Sequence, residues 1–149
     1  MIQQIVQPGQ TLLLDSDAII YFLEDHPRYG SAAQDILASI RDGELQSFAS
    51  TLAFAEVLVP AYRKDPLREG PQLAETLRSI PNLYWIDLDA RLASAAARLR
   101  AAYGLRTPDA VHVATALSVK ADWIVTNDKG LRRVRAEGVK VWLFDEATA

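Results

Sequence analysis

The chain of 149 residues contains no cysteine. That excludes a disulfide framework, a thiolate zinc site and a cysteine nucleophile, and it fits a reducing compartment. Histidine is almost as scarce: His26 and His112 are the only two, so a histidine-based mechanism has little to work with. No apolar stretch approaches the ~20 residues needed to cross a bilayer. The opening MIQQIVQPGQ lacks the charged start and apolar run of a signal peptide. The expectation is a cytoplasmic protein with no membrane association. The net charge is −3, so the molecule as a whole is no magnet for polyanions. What remains is ordinary for a globular protein: 50% hydrophobic and 23% charged residues, at a length that fits one domain over 1–149.

Charge is unevenly spread. Residues 1–60 carry eight acids against Arg28 and Arg41, whereas residues 91–135 carry nine bases against Asp109, Asp122 and Asp128. Four acids stand at the ends of apolar segments or inside helical ones. Asp15 closes TLLL, Glu56 sits inside TLAFAEVLV, Asp109 opens RTPDAVHVATAL, and Asp128 follows WIVTN. An ionised carboxylate beside apolar surface is costly unless something compensates it. No single Lys or Arg is an evident partner for all four, and a shared divalent cation would compensate them.

Short apolar runs at Thr11–Leu14, Ser47–Ala49, Leu83–Leu88, Trp123–Thr126 and Val139–Phe144 read as strands. Helical patterns alternate with them: Asp17–Leu23, Ser31–Ile40 with Ser31 as N-cap, Thr51–Arg63, Pro71–Ile80, a long helix capped by Asp89 and ended by Gly104, one capped by Thr107 with Pro108 next, and a short basic helix over Lys129–Ala136. This alternation argues for an α/β fold with a mostly parallel central sheet. In such sheets ligands bind beyond the carboxyl ends of the strands. Asp15 and Asp128 fall at two such ends, Asp109 opens a helix, and Glu56 lies about one and a half turns into its own.

Hard cations such as Mg²⁺ and Mn²⁺ prefer carboxylate oxygen and water, and Mg²⁺ is usually completed by substrate phosphate. Three or four gathered carboxylates therefore suit one or two such ions and a phosphodiester. Two ions about 3.5–4 Å apart activate a water and stabilise the leaving oxygen. Each acid also has a structural reading. Asp15 or Asp17 caps the first helix, Glu56 pairs with Arg63 or Lys64, Asp109 complements a helix dipole, and Asp128 begins a turn. Thr126 and Asn127 flank Asp128 and either orient it or shape the turn. His112 lies one turn after Asp109 and reads first as a packing histidine. Lys129, Arg132 and Arg133 are the candidates for phosphate contact.

LLLDSDAIIYFLE, TLAFAEVL, RTPDAVHVATAL and DWIVTNDKGL stand in the order and spacing of the PIN-domain ribonucleases. The chain most resembles the small toxins of VapBC-type toxin–antitoxin systems, over essentially its whole length. The resemblance implies a three-layer α/β/α sandwich and a Mg²⁺- or Mn²⁺-dependent site built from Asp15, Glu56, Asp109 and Asp128. It also implies endonucleolytic cleavage of RNA, a homodimer and inhibition by a cognate antitoxin, with 51–80 as the arm for those contacts. The family often has Asn or Ser two residues after the first acid, and here Asp17 stands there. Two alternatives remain. Asp15-Ser16-Asp17-Ala18-Ile19 comes near the first motif of haloacid-dehalogenase-like phosphatases, with Asp15 as nucleophile and Asp17 as acid. That motif wants Thr or Val at position 19, and no downstream GDxxxD follows. The other alternative is a non-catalytic RNA- or protein-binding module.

Overall fold

The computed structural model describes residue 2 and residues 6–148. Part of the N-terminal MIQQIVQPGQ segment and residue 149 lie outside this description. The strands are β1 (Thr11–Leu14), β2 (Gln46–Ser50), β3 (Leu83–Ile86), β4 (Trp123–Thr126) and β5 (Lys140–Leu143). They form one sheet in the order β3-β2-β1-β4-β5, and every neighbouring pair is parallel.

Alternation along the strands creates the layers. Successive side chains on a strand point to opposite faces. Leu12, Leu14 and Val125 face one core with Ala33, Ile36, Leu37 and Ile40, which come from α2 (Gly30–Arg41) behind α1 (Ser16–Leu23). Leu13 and Ile124 face the other, with Leu92, Ala96 and Leu99 of α6 (Ala90–Tyr103) and Val111 and Ala114 of α7 (Thr107–Ser118). Helices thus cover both faces of a parallel sheet, which is the expected α/β/α sandwich. A third apolar cluster, containing Ile19, Ala53, Val57, Leu58 and Leu77, joins α1 to α3 (Leu52–Val57), α4 (Val59–Lys64) and α5 (Glu69–Arg78). The last helix, α8 (Phe144–Ala147), follows β5.

Several local expectations need correction. Thr51–Arg63 is two helices, broken at Leu58. Pro60 has no N–H to give the carbonyl of Glu56 four residues earlier, so the helix cannot run through. Ser31 is not a cap. Helix α2 begins at Gly30, whose N–H goes to the His26 carbonyl at 2.8 Å. Only glycine fits there, because a Cβ would lie 2.9 Å from the Asp25 carbonyl carbon. Thr107 is not a cap either, being the first residue of α7 after an extended Arg106. The short basic helix expected over Lys129–Ala136 is present, as a 3-10 helix over residues 129–137 ended at Gly138. Its buried residues, Leu131 and Val134, are three apart and match a repeat of three per turn. β2 is longer than Ser47–Ala49, while β3 and β5 are shorter than Leu83–Leu88 and Val139–Phe144. α5 starts ahead of Pro71 and ends at Arg78, short of Ile80. By contrast Asp89 caps α6 through the Leu92 N–H at 2.9 Å, and Gly104 ends it with φ +67°.

Candidate active site

β1 and β4 are neighbours in parallel register, with Leu14 opposite Val125. Their carboxyl ends therefore deliver Asp15 and Thr126 side by side. Asp15 is only 6% exposed. Its Oδ1 accepts the Ser16 N–H at 2.7 Å and so caps α1, while Oδ2 accepts the Thr126 hydroxyl at 2.7 Å. The same Thr126 oxygen accepts the Asp128 N–H at 3.1 Å. One buried hydroxyl thus ties two of the acids together. Asp128 then turns the chain by accepting the Gly130 N–H at 2.8 Å. The structural and the site readings of Asp15 and Asp128 describe the same geometry and do not compete.

Glu56 reaches the same edge from the last turn of α3. Its Oε1 accepts the Ser16 hydroxyl at 2.6 Å and faces His112 Nε2 at 2.8 Å. A carboxylate has no hydrogen to give, so Nε2 is the donor. That nitrogen also lies 3.4 Å from Asp15 Oδ1 and 3.2 Å from Ser16 Oγ. His112 is 1% exposed, and its Nδ1 is buried with no partner among the described residues. The expected pairing of Glu56 with Arg63 or Lys64 is not made, and Lys64 pairs with Glu69 at 3.3 Å. Asp109 stands one turn before His112 on α7, and its Oδ2 meets Arg106 Nε at 3.1 Å. Asp17 is not the cap of α1. It accepts the Asn127 N–H at 3.0 Å and so secures the loop that bears Asp128.

The electrostatics follow from this crowding. Burial pushes the Asp15 carboxyl up from 3.8 to about 6, with the Asp17 charge adding to it and His112, Thr126 and Ser16 opposing it. Burial also raises Asp109, and Asp128 adds to the rise against the pull of Arg106. Burial works the same way on Glu56, but hydrogen bonds from His112 and Ser16 prevail and hold it below its ordinary value. Burial would lower His112, yet the Glu56 hydrogen bond and the negative charges of Asp15, Glu56 and Asp109 raise it. This corner of the protein carries more negative charge than its own cations offset.

Among the described residues, no three His, Asp or Glu side chains form a ready-made cage for one metal ion. The donor chemistry nonetheless fits a hard cation. All four acids offer oxygen, and Mg²⁺ needs only one or two carboxylates when water and substrate phosphate complete its shell. Both hydrogen bonds of Glu56 among the described residues fall on Oε1, which leaves Oε2 for a cation or its water.

The bases that follow Asp128 are engaged inside the molecule. Lys129 pairs with Asp145 at 3.0 Å, Arg132 with Glu146, and Arg133 donates to the carbonyls of Tyr103 and Gly130 at 2.8 and 3.0 Å. The cation that does face the acids is Arg106, which nothing in its local sequence pattern singles out. Ser16 and His112 also belong to the cluster, although the sequence pattern gives them no role in it. The signal for His112 was a polar residue one turn after Asp109 in a mostly apolar helix.

A sequence comparison with curated proteins finds no match. Solved structures with the same fold include VapBC2 from Rickettsia felis bound to a DNA fragment from their promoter. That match has a TM-score of 0.68 and 16% identity over 90% of this chain and 98% of that one. A toxin–antitoxin complex from Klebsiella pneumoniae gives 0.65 and 21%, over 89% and 97%. VapC20 of Mycobacterium tuberculosis, described as a sarcin–ricin loop cleaving toxin, gives 0.60 and 14%, over 76% and 86%. The family model for the PIN domain matches residues 12–137. That span runs from β1 through the 3-10 helix and takes in all four acids. By this match the chain belongs to the PIN-domain family.

Proposed function

We propose that this protein is a Mg²⁺- or Mn²⁺-dependent endoribonuclease that hydrolyses RNA phosphodiester bonds, and that it is the toxin of a type II toxin–antitoxin pair. The observation that carries the reading is the contact chain from Glu56 through His112 and Ser16 to Asp15, and from Asp15 through Thr126 to Asp128. Membership of the PIN-domain family and the toxin structures that share the fold support it.

In this reading Asp15, Glu56, Asp109 and Asp128 hold the cation. A bound divalent ion supplies a water of lowered pKa and neutralises charge on the phosphate under attack. The protein's part is to position and to keep charge in place. Thr126 turns Asp15 Oδ2 by donating to it, and Ser16 and the His112 Nε2–H fix Glu56 Oε1. His112 keeps Glu56 ionised, so that its carboxylate takes the hydrogen of a neighbouring water. The phosphatase alternative gives Glu56 and His112 no task, although their hydrogen bond lies at the centre of the cluster.

The same reading expects an antitoxin, a homodimer, a cytoplasmic site of action and one domain over 1–149. The single sheet with a core on each face supports the last. No helix among the described residues is long and apolar enough to cross a membrane. An apolar groove of about 500 Å³ runs along α3 and α4, with Val59 and Tyr62 exposed in it, and supports a protein partner on that face.

The test is cleavage of single-stranded RNA by the purified protein. EDTA should stop it, and added Mn²⁺ or Mg²⁺ should restore it. Undiminished cleavage in excess chelator would sink the metal-dependent reading.

A further inference from the structure

We propose that Arg106 is a mobile phosphate-binding residue that occupies Asp109 until a divalent cation displaces it, and that it then moves onto the phosphate of the RNA. The inference rests on the proposed nuclease reading and extends it to a residue that the reading leaves out.

Geometry singles Arg106 out. It precedes α7 in an extended conformation, and its Nε meets Asp109 Oδ2 at 3.1 Å. Its side chain is 79% exposed while that of Asp109 is 13% exposed. The acid is therefore anchored in the protein wall, and the base reaches it from solvent. The guanidinium also acts electrostatically on Asp128, Asp15 and Glu56. Among the described residues Arg106 is the one Lys or Arg whose ion pair is with one of the four site acids; Lys129 and Arg132 pair with Asp145 and Glu146, and Arg133 holds two carbonyls.

Chemistry supplies the rest. A lone exposed ion pair is weak and open to exchange, so a divalent ion has the charge to take Asp109 from it. A displaced guanidinium beside the cation meets the charge it binds best, since its planar fork matches two phosphate oxygens. Arg106 thus opposes cation binding in the free protein and favours RNA binding in the loaded one. A residue that merely supports the fold would move both in the same direction.

The experiment compares wild type with Arg106→Gln and Arg106→Lys. Mn²⁺ binding to each is followed by calorimetry without RNA. In Arg106→Gln the affinity for Mn²⁺ should rise about two- to fivefold, the scale of a surface ion pair. KM for single-stranded RNA should rise about tenfold with kcat less affected, and Arg106→Lys should recover part of that loss. Binding of a cleavage-resistant single-stranded RNA analogue with Mn²⁺ present, compared between wild type and Arg106→Gln, should lose about 0.7 from its slope of log affinity against log salt, the value for one phosphate contact on a single strand. Unchanged Mn²⁺ affinity, or an unchanged salt slope, overturns the proposal for Arg106 while wild-type cleavage leaves the nuclease reading standing. Wild type that neither binds Mn²⁺ nor cuts RNA overturns both.

Discussion

The two halves of the acidic site are built differently. Asp15, Glu56 and His112 sit against apolar surface and are joined by short hydrogen bonds through Ser16 and Thr126. Asp109 faces an exposed arginine and Asp128 rests on its own turn. The first half is rigid before any ligand arrives, because each buried polar atom needs its partner. In the second, the Arg106–Asp109 pair exchanges readily with water and ions, while the Thr126 hydroxyl ties Asp128 to the first half. On the proposed function, the first half would fix where a cation goes and Asp109 would adapt as cation and substrate enter.

The largest expected effect comes from breaking the rigid half at its centre. Asp15→Asn should reduce RNA cleavage by more than about 10³-fold while the fold survives. The same change should stabilise the metal-free protein near neutral pH. A carboxyl raised from 3.8 to about 6 binds its proton more tightly folded than unfolded, so wild-type stability falls as pH climbs through that window. The difference is on the order of 2–3 kcal/mol at pH 7, and it should be missing from the pH profile of Asp15→Asn. Chemical denaturation from pH 4 to 8 with EDTA present measures it, and parallel profiles for the two proteins would contradict the burial argument.

Next in size is His112→Ala, which empties a buried site and leaves Glu56 with only the Ser16 hydroxyl as donor. It should cost about 2–4 kcal/mol. Asp109→Ala, in the adaptable half, should change stability by less than about 0.5 kcal/mol and yet remove cleavage. Equal losses of stability in urea titrations would erase the contrast between the halves. The smallest expected effect on cleavage is that of Thr126→Val, which keeps the volume and removes one hydroxyl. It should cost about 1–2 kcal/mol and slow cleavage about 10- to 100-fold, as for other groups that orient a ligand residue. A variant with full activity would show that Asp15 needs no such support.

Much of the fold was legible because its signals are local. Period-two alternation in TLLL and WIVT, Asp89 as a cap and Gly104 as a stop all appear where the residues themselves put them. The misread elements are those that a distant or oppositely placed group controls. The α3–α4 break follows from one missing N–H, at Pro60. Ser31 and Thr107 have capping chemistry but stand within their helices, Thr107 as the first residue and Ser31 as the second. The 3-10 helix follows from burying Leu131 and Val134 against the sheet.

In the site, the types and order of the acids were legible, since carboxylates at strand ends have few structural uses. Their connections were not. His112 touches Glu56 and Asp15 across separations of 56 and 97 positions. The bases at 129–133 looked free until α8 supplied Asp145 and Glu146. By itself the chain's pattern determined which segments alternate, which faces are apolar and which residue types have oxygen to offer, because propensity and periodicity act over a few neighbours. Only the tertiary structure decided which oxygens meet, which hydroxyl bridges them and which arginine stays at the surface, because hydrogen bonds and charge interactions depend on distances in space that parallel strands set between residues far apart in the chain.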